Sequence, residues 1–240
     1  MKEKLYAIPV NDAFDSDCEC PVCRMYKTLE DNAIEYTMGP SYMEDDTRMQ
    51  TDKKGFCQKH MDMILKCPNK LGISLILKTH FDKIIRDLTP LDAKSCEKKG
   101  IFSKETTSFP MADYLKELDR SCFVCDRINQ VFNRYIDTIF YLYKTDAAFR
   151  DKFMASRGFC NAHFLILIEK APDFLKGSEL NEFTDKTKSL YISNMERVRD
   201  DLSWFIDKFD YRNSDAPWKN SKDAIPRAVI KTNGIIQDDK

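Results

Sequence analysis

The sequence predicts an all-α fold of two tandem helical repeats with a C-terminal tail, on three observations. Glycine and proline are scarce, seven and nine in 240 residues, too few for the turns that an all-β sandwich needs. Apolar side chains recur at three- and four-residue steps, the spacing of one helical face. Six of the nine cysteines and two of the three histidines fall into two sets of matching internal order.

Those sets define the repeats. The first is Cys20, Cys23, Cys57 and His60; the second is Cys122, Cys125, Cys160 and His163. The Cys-x2-Cys halves are offset by 102 residues and the Cys-x2-His halves by 103. Gly55-Phe56 before Cys57 recurs as Gly158-Phe159 before Cys160, and at the 102 offset Ile34 meets Ile136, Glu35 meets Asp137 and Arg48 meets Arg150. Ligand-type residues in register over this span point to an internal duplication. The expected organisation is repeat 1 over 1–88, a polar linker over 89–112, repeat 2 over 113–210 and a tail over 211–240.

Taken in order, the first cysteine pair opens a helix over Met25–Met38, which Gly39-Pro40 breaks. Glu44-Asp45-Asp46 reads as a solvated helix start, where acids suit the positive end of the dipole. Gly55 and Gly158 suit a left-handed position between a helix end and the next helix start at the cysteine. After His60, the residues Ile73, Ile76, Leu77, Phe81, Ile84 and Leu88 form an apolar stripe. Thr89 to Ser108 is rich in Lys, Glu, Ser and Thr and reads as the exposed connection. In the second repeat a helix over Asp126–Lys144 carries Phe132, Tyr135, Ile136, Ile139, Phe140 and Tyr143 on one face, a core stripe. Thr145-Asp146 resembles an N-cap for a return helix towards Ser156. Leu190, Met195, Val198, Leu202, Phe205, Ile206 and Phe209 stripe a longer helix. The tail holds Pro217-Trp218 and an Asn220-Ser221 cap before Ala224–Ile230, a short apolar segment expected to pack back on the body.

Composition excludes some classes of function. A net charge of −1 leaves no strong electrostatic footprint for nucleic acid. The N-terminus has no apolar stretch of signal-peptide length, and Phe164–Ile168 is far shorter than the roughly 20 residues a membrane helix needs. The expectation is a cytoplasmic protein without a membrane partner. That compartment keeps thiols reduced, so nine cysteines call for metal or redox chemistry rather than disulfides.

Metal suits the pattern best. Two cysteines separated by two residues turn both sulfurs towards one point, the bite a tetrahedral ion wants, and Pro21 stiffens the first loop. In Cys-x2-His the ligands sit three apart at a helix start, on one face, where the dipole stabilises thiolate. Three thiolates with one imidazole make a closed soft site, the structural zinc pattern. Two zinc ions are expected, with an iron–sulfur cluster less favoured. A thioredoxin-like dithiol is disfavoured because no βαβ pattern surrounds either pair.

Pairing stays open at this level. The Asp126–Lys144 helix would run about 28 Å and its return about 16 Å, so closing Cys160 onto Cys125 needs a kink or a shorter outward helix. Cys20 and Cys23 would otherwise meet Cys160 and His163, with the reciprocal set forming the other site. Cys18 competes weakly as a ligand, Cys67 and Cys96 read as incidental thiols, and His80 as a packed or surface histidine. Arg48 and Arg150 are candidates to hydrogen-bond metal-bound thiolates or to line a pocket with Glu35 and Asp137; ion pairing among these four is the plainer reading. No Ser/His/Asp set, phosphate-binding glycine loop or zincin signature is present, so no catalytic residue is assigned.

With Cys20-Pro21-Val22-Cys23, the Gly-Phe-Cys-x2-His match and the tail Pro217-Trp218-x-Asn220-Ser221-x-Asp223-Ala224, nearly the whole chain resembles a domain-of-unknown-function family of anaerobic Firmicutes. The resemblance implies a bacterial cytoplasmic protein and brings no activity. Three readings of function remain: a zinc-stabilised scaffold or interaction module for a protein partner; an enzyme or small-molecule-binding protein with a pocket between the repeats; and a thiolate-based metal or redox sensor.

Overall fold

A computed structural model describes residues 6–91, 96–100 and 103–234, with backbone only over 96–100 and 103–108. Parts of the expected linker (92–95 and 101–102), the end of the tail (235–240) and the Cys96 side chain lie outside the described residues. The chain forms two compact units, Met1–Thr28 with Val131–Lys240, and Leu29–Gln130. Among the described residues it is all-α apart from one hairpin, and two helices, α2 (Pro21–Met38) and α7 (Phe123–Thr145), have residues in both units. Among the described residues no helix is long and apolar enough to cross a membrane.

The unit made of the two chain ends contains α1 (Ala7–Asp15), the start of α2, most of α7, α8 (Ala147–Ala155), α9 (Asn161–Phe174), α10 (Gly177–Asp207) and α11 (Ala224–Asn233). Its core is aromatic. The buried Phe153 ring lies 5.1 Å from Phe159, 5.2 Å from Tyr143 and 5.7 Å from both Phe14 and Phe183. The stripe on α7 is core as expected, with Ile136, Ile139 and Phe140 buried and Phe140 stacked on Phe174. Asp146 caps α8 by accepting from the amides of Ala148 and Phe149, as Thr145-Asp146 predicts. The stripe on α10 continues too far in the sequence reading. Leu190 and Val198 are buried, but Ile206 and Phe209 are 67% and 76% exposed. Helix α10 ends at Asp207, where the Lys208 ammonium turns the chain by donating to the carbonyls of Asn213, Ser214 and Ala216.

The tail also departs from expectation in one detail. The N-cap of α11 is Asp223, not Asn220-Ser221; Ser221 lies in the turn before the helix, where its hydroxyl donates back to the Trp218 carbonyl. The helix packs within its unit through Lys231, which is 1% exposed.

The central unit contains the rest of α2, a 3-10 turn over Pro40–Met43, α3 (Asp45–Lys54), α4 (Gln58–Lys66), α5 (Lys70–Leu88), the hairpin, α6 (Pro110–Asp119) and the start of α7. Helix α2 stops at Met38, before Gly39-Pro40, as proline's missing amide requires. Asp45 and Asp46 occupy the first turn of α3. Asn69 caps α5 by accepting from the Gly72 amide at 2.9 Å and ties it to α2 by donating to the Met38 carbonyl at 3.0 Å. Ile73 and Ile76 of the α5 stripe are buried, whereas Phe81 is 58% exposed. Within the polar connection, strand β1 (Cys96–Gly100) pairs antiparallel with β2 (Ser103–Ser108). These strands lack the apolar alternation that marks a half-buried strand, which is why composition alone reads as loop.

Candidate metal centres

Four helix starts supply all eight ligand-type side chains. Cys20 precedes α2 and Cys23 lies in its first turn; Cys122 and Cys125 hold the same places on α7. Cys57 is the N-cap of α4 with His60 in its first turn, and Cys160 is the N-cap of α9 with His163 one turn in. The thiol replaces the usual oxygen cap in the first pair of helices: the amides of Cys23 and Cys125 point at the sulfurs of Cys20 and Cys122, each at 3.4 Å. Unpaired amides and the dipole make each start a place for negative charge.

The starts meet in crossed pairs. Cys20, Cys23, Cys160 and His163 form one set, and Cys57, His60, Cys122 and Cys125 the other; each could hold a metal ion, with ligand atoms all within 4.8 Å of one another. Within the first set His163 Nδ1 lies 3.5, 3.2 and 3.2 Å from the sulfurs of Cys20, Cys23 and Cys160, and the Cys23 and Cys160 sulfurs are 3.5 Å apart. Within the second, His60 Nδ1 lies 3.2, 3.3 and 3.3 Å from Cys57, Cys122 and Cys125, and the Cys57 and Cys125 sulfurs are 3.8 Å apart. The pairing within each motif, one of the two left open by the spacing, is not adopted. Helix α7 has 23 residues and α8 only nine, about 34 Å out and 14 Å back, so the return leaves Cys160 short of its own cysteine pair.

The surroundings of the sets are polar and charged. In the second, Glu30 on α2 faces His60 Nε2 at 3.2 Å and pairs with Lys59 at 2.6 Å. A carboxylate behind a ligand-type imidazole fixes the ring's tautomer and orientation. Burial opposes the charge on His60, but Cys122 and Glu30 together hold its pKa up at about 9. Burial likewise opposes the Cys122 thiolate, yet His60 and the amides of Cys125 and Cys57 bring it down to about 6. Burial and the Cys122 charge push Cys125 up. In the first set, hydrogen bonds from Cys20 and Cys23 stabilise the Cys160 thiolate, while burial pushes Cys20 up to about 12.

The first set rests on a buried ion cluster. Glu19, 4% exposed, pairs with Arg197 at 2.5 Å, Lys231 at 3.2 Å and Arg157 at 3.4 Å. Lys231 also donates to the carbonyls of Glu19 and Arg157, which tethers α11 to the loop ahead of Cys160. Burial raises the Glu19 carboxyl, but the Arg197 hydrogen bond and the Lys231 charge outweigh it and hold the pKa below the usual carboxylate range. The central unit meets the same need differently. Ser121 donates to the Lys54 carbonyl at 2.5 Å, and the Phe123 amide to the Gly55 carbonyl at 3.0 Å. Proline at position 21, the counterpart of Phe123, has no amide to offer.

Gly55 and Gly158 have φ of +58° and +74°. Gly55, with ψ −153°, occupies a region essentially confined to glycine. A Cβ there would lie 2.8 Å from His80 Nε2. Gly177 shares a positive φ, +54°, but a Cβ there meets nothing within 4 Å. Gly55→Ala should therefore lower the unfolding free energy by about 2–4 kcal/mol and Gly177→Ala by about 1 kcal/mol. Denaturant titration of both checks this; equal losses would show that the His80 contact does not matter.

The other sequence candidates scatter. Arg150 donates to the carbonyls of Tyr143 and Lys144, closing the end of α7. Asp137 lines a cavity of about 500 Å³ with Tyr6, Arg134, Lys144 and Asp173, and burial raises its pKa. Glu35 is exposed and Arg48 part-exposed; among the described residues no hydrogen bond or ion pair joins either side chain to a ligand-type group. Cys18 accepts from the Ser16 hydroxyl, Cys67 points at the Met63 carbonyl, and His80 Nδ1 meets the Asp52 carbonyl at 2.7 Å, all outside the two sets. Sequence reasoning missed Glu30, Glu19 and Lys231. Glu30 lies two turns after Cys23 on the same helix, a signal present but hidden, because its counterpart at the 102 offset is Phe132. Lys231 is 212 residues from Glu19, and nothing local announces that contact.

A family model described as "Family of unknown function (DUF6062)" matches residues 1–239. No curated protein and no solved structure matches the chain.

Proposed function

The chain belongs to this family of unknown function, and we propose that it is a cytoplasmic helical scaffold, stabilised by two structural zinc ions, that binds a protein partner. The observation that carries the metal assignment is the size of the two ligand sets. Around a tetrahedral zinc, Zn–S and Zn–N lengths of roughly 2.3 and 2.05 Å give edges of about 3.8 Å between sulfurs and 3.6 Å between sulfur and nitrogen. Here the Cys23–Cys160 and Cys57–Cys125 edges are 3.5 and 3.8 Å, the sulfur–nitrogen edges are 3.2 to 3.5 Å, and all ligand atoms of a set lie within 4.8 Å of one another. An iron–sulfur cluster spreads its protein ligands over several irons, whereas each set here converges on one point. Three thiolates and an imidazole also fill a zinc coordination shell, which suits a structural role and leaves no open position for a substrate.

Each ion would join two helix starts that are far apart in sequence, so its binding energy is folding energy. The doubled motifs support descent from a duplicated helical repeat. Free cysteines outside the ligand sets, Cys18 and Cys67, fit a reducing compartment. Protein purified without added metal should contain two zinc ions per chain by elemental mass spectrometry. Metal-free protein with an intact fold and fully reactive thiols would overturn the assignment. A second reading, small-molecule binding, has one supporting observation: the cavity beside Asp137 mixes an aromatic floor, Phe140 and Phe174, with two carboxylates and two cations.

A further inference from the structure

We propose that the two ligand sets divide their roles: Cys20, Cys23, Cys160 and His163 hold an ion permanently, whereas Cys57, His60, Cys122 and Cys125 form an exchange site that loads and releases one soft divalent cation. This rests on the reading that both sets bind metal. It goes beyond that reading by giving one site a reversible function.

Access differs between the sets. Cys20, Cys23 and Cys160 are 1%, 3% and 0% exposed, and only the imidazole of His163 reaches part-exposure. In the other set the part-exposed residues are two cysteines, Cys57 and Cys125. An open cavity of about 620 Å³ runs along Lys54, Gly55 and Phe56, the loop that carries Cys57. Ligand substitution needs an incoming donor to approach as a thiolate leaves. The freed thiolate keeps its electron pair and takes a proton from solvent, which lies nearer to a part-exposed cysteine than to a fully buried one.

Cover differs as well. The end of α11 lies over the first set: a Cβ on Gly234 would stand 3.5 Å from the Cys160 sulfur and 3.6 Å from the Cys23 sulfur. The helix is fastened there by Lys231 and Glu19, both almost fully buried. An ion leaving that set requires the strap to open against a buried ion pair, whose separation is costly. The corresponding fastening in the central unit is lighter and nearer solvent: the Ser121 hydroxyl bond to the Lys54 carbonyl, the Phe123 amide bond to the Gly55 carbonyl, and an ion pair between Lys54 and Asp126 at 2.8 Å whose side chains are 25% and 46% exposed.

The exchange set is also built to refill. Glu30 holds His60 through Nε2, with Lys59 balancing the carboxylate, so the ring keeps its place through protein contacts alone. At the equivalent position beside His163 stands the Phe132 ring, 5.7 Å between centroids, which offers no such hydrogen bond. An ion returning to the central unit therefore finds its nitrogen ligand already aimed, which lowers the ordering cost of rebinding.

The test mixes the zinc-loaded full chain with the chromogenic chelator 4-(2-pyridylazo)resorcinol. The expected result is two phases of one ion per chain, with rates at least tenfold apart. Iodoacetamide added after the fast phase, followed by peptide mapping, should label Cys57, Cys122 and Cys125 and spare Cys20, Cys23 and Cys160. Cys57→Ser should abolish the fast phase and keep the slow one; labelling of the unmodified chain reads the same assignment should that variant not fold. A single rate for both ions, or early labelling of Cys20, Cys23 and Cys160, overturns the division of roles while leaving two bound zincs intact. Protein without zinc overturns the metal reading itself.

Discussion

Cys57→Ser with Cys122→Ser should leave one zinc ion per chain, while Cys57→Ser with Cys160→Ser should leave none. The two double variants remove the same number of thiolates and differ only in how those thiolates are shared. Cys57 and Cys122 belong to one crossed set, so their loss spares Cys20, Cys23, Cys160 and His163. Cys57 and Cys160 belong to different sets, so each change strips a sulfur from a separate tetrahedron. Pairing within each sequence motif predicts the opposite for the first variant, because Cys57 and Cys122 would then serve different ions. Since a structural zinc contributes its binding energy to folding, the second variant should also lose cooperative unfolding in both units. Metal content by mass spectrometry decides the matter, and zero zinc in Cys57→Ser/Cys122→Ser would refute the crossed arrangement.

Glu19→Ala should destabilise the zinc-loaded protein by on the order of 3–5 kcal/mol, the cost of breaking a buried ion pair from one side. Glu19 faces Lys231, Arg197 and Arg157, of which Arg157 also pairs with the exposed Asp17 at 2.5 Å. Lys231, 1% exposed, would keep its two backbone carbonyl acceptors but lose its counter-charge. Glu19→Gln preserves shape and some hydrogen bonding and should cost less. Thermal unfolding in excess zinc measures both; a loss under about 1 kcal/mol for Glu19→Ala would mean that Lys231 finds water or another acid when its partner goes. Arg197→Met offers a contrasting case, since that side chain is 35% exposed and its charge is partly solvated, and its effect should be small.

Much of the local structure was legible because it depends on short stretches of chain. The α7 stripe, the Asp146 cap, the stop at Gly39-Pro40 and the positive φ of Gly55 and Gly158 each follow from spacing or backbone chemistry within a few residues. Errors appeared where a local pattern outran its surroundings. Phe81 and Phe209 continue apolar stripes past the point where another element covers them. Helices α1 and α6 went unread: α1 is short, and its contribution to the core is carried largely by Val10 and Phe14, while α6 buries no residue at all.

Residue spacing alone identifies the eight ligand-type side chains and the form of each half-site. Two cysteines three positions apart at a helix start, or a cysteine and a histidine, converge through local geometry alone. Which halves meet is a property of the folded chain. That choice depends on the lengths of α7 and α8, 23 and nine residues, and lengths accumulate over many residues before they become positions. The fold also decides what surrounds each set: Glu30 behind His60, and Lys231 with the end of α11 over Cys23 and Cys160. Such contacts join residues up to 212 positions apart, a distance over which side-chain spacing carries no signal. The two sets are therefore alike as motifs and different as sites.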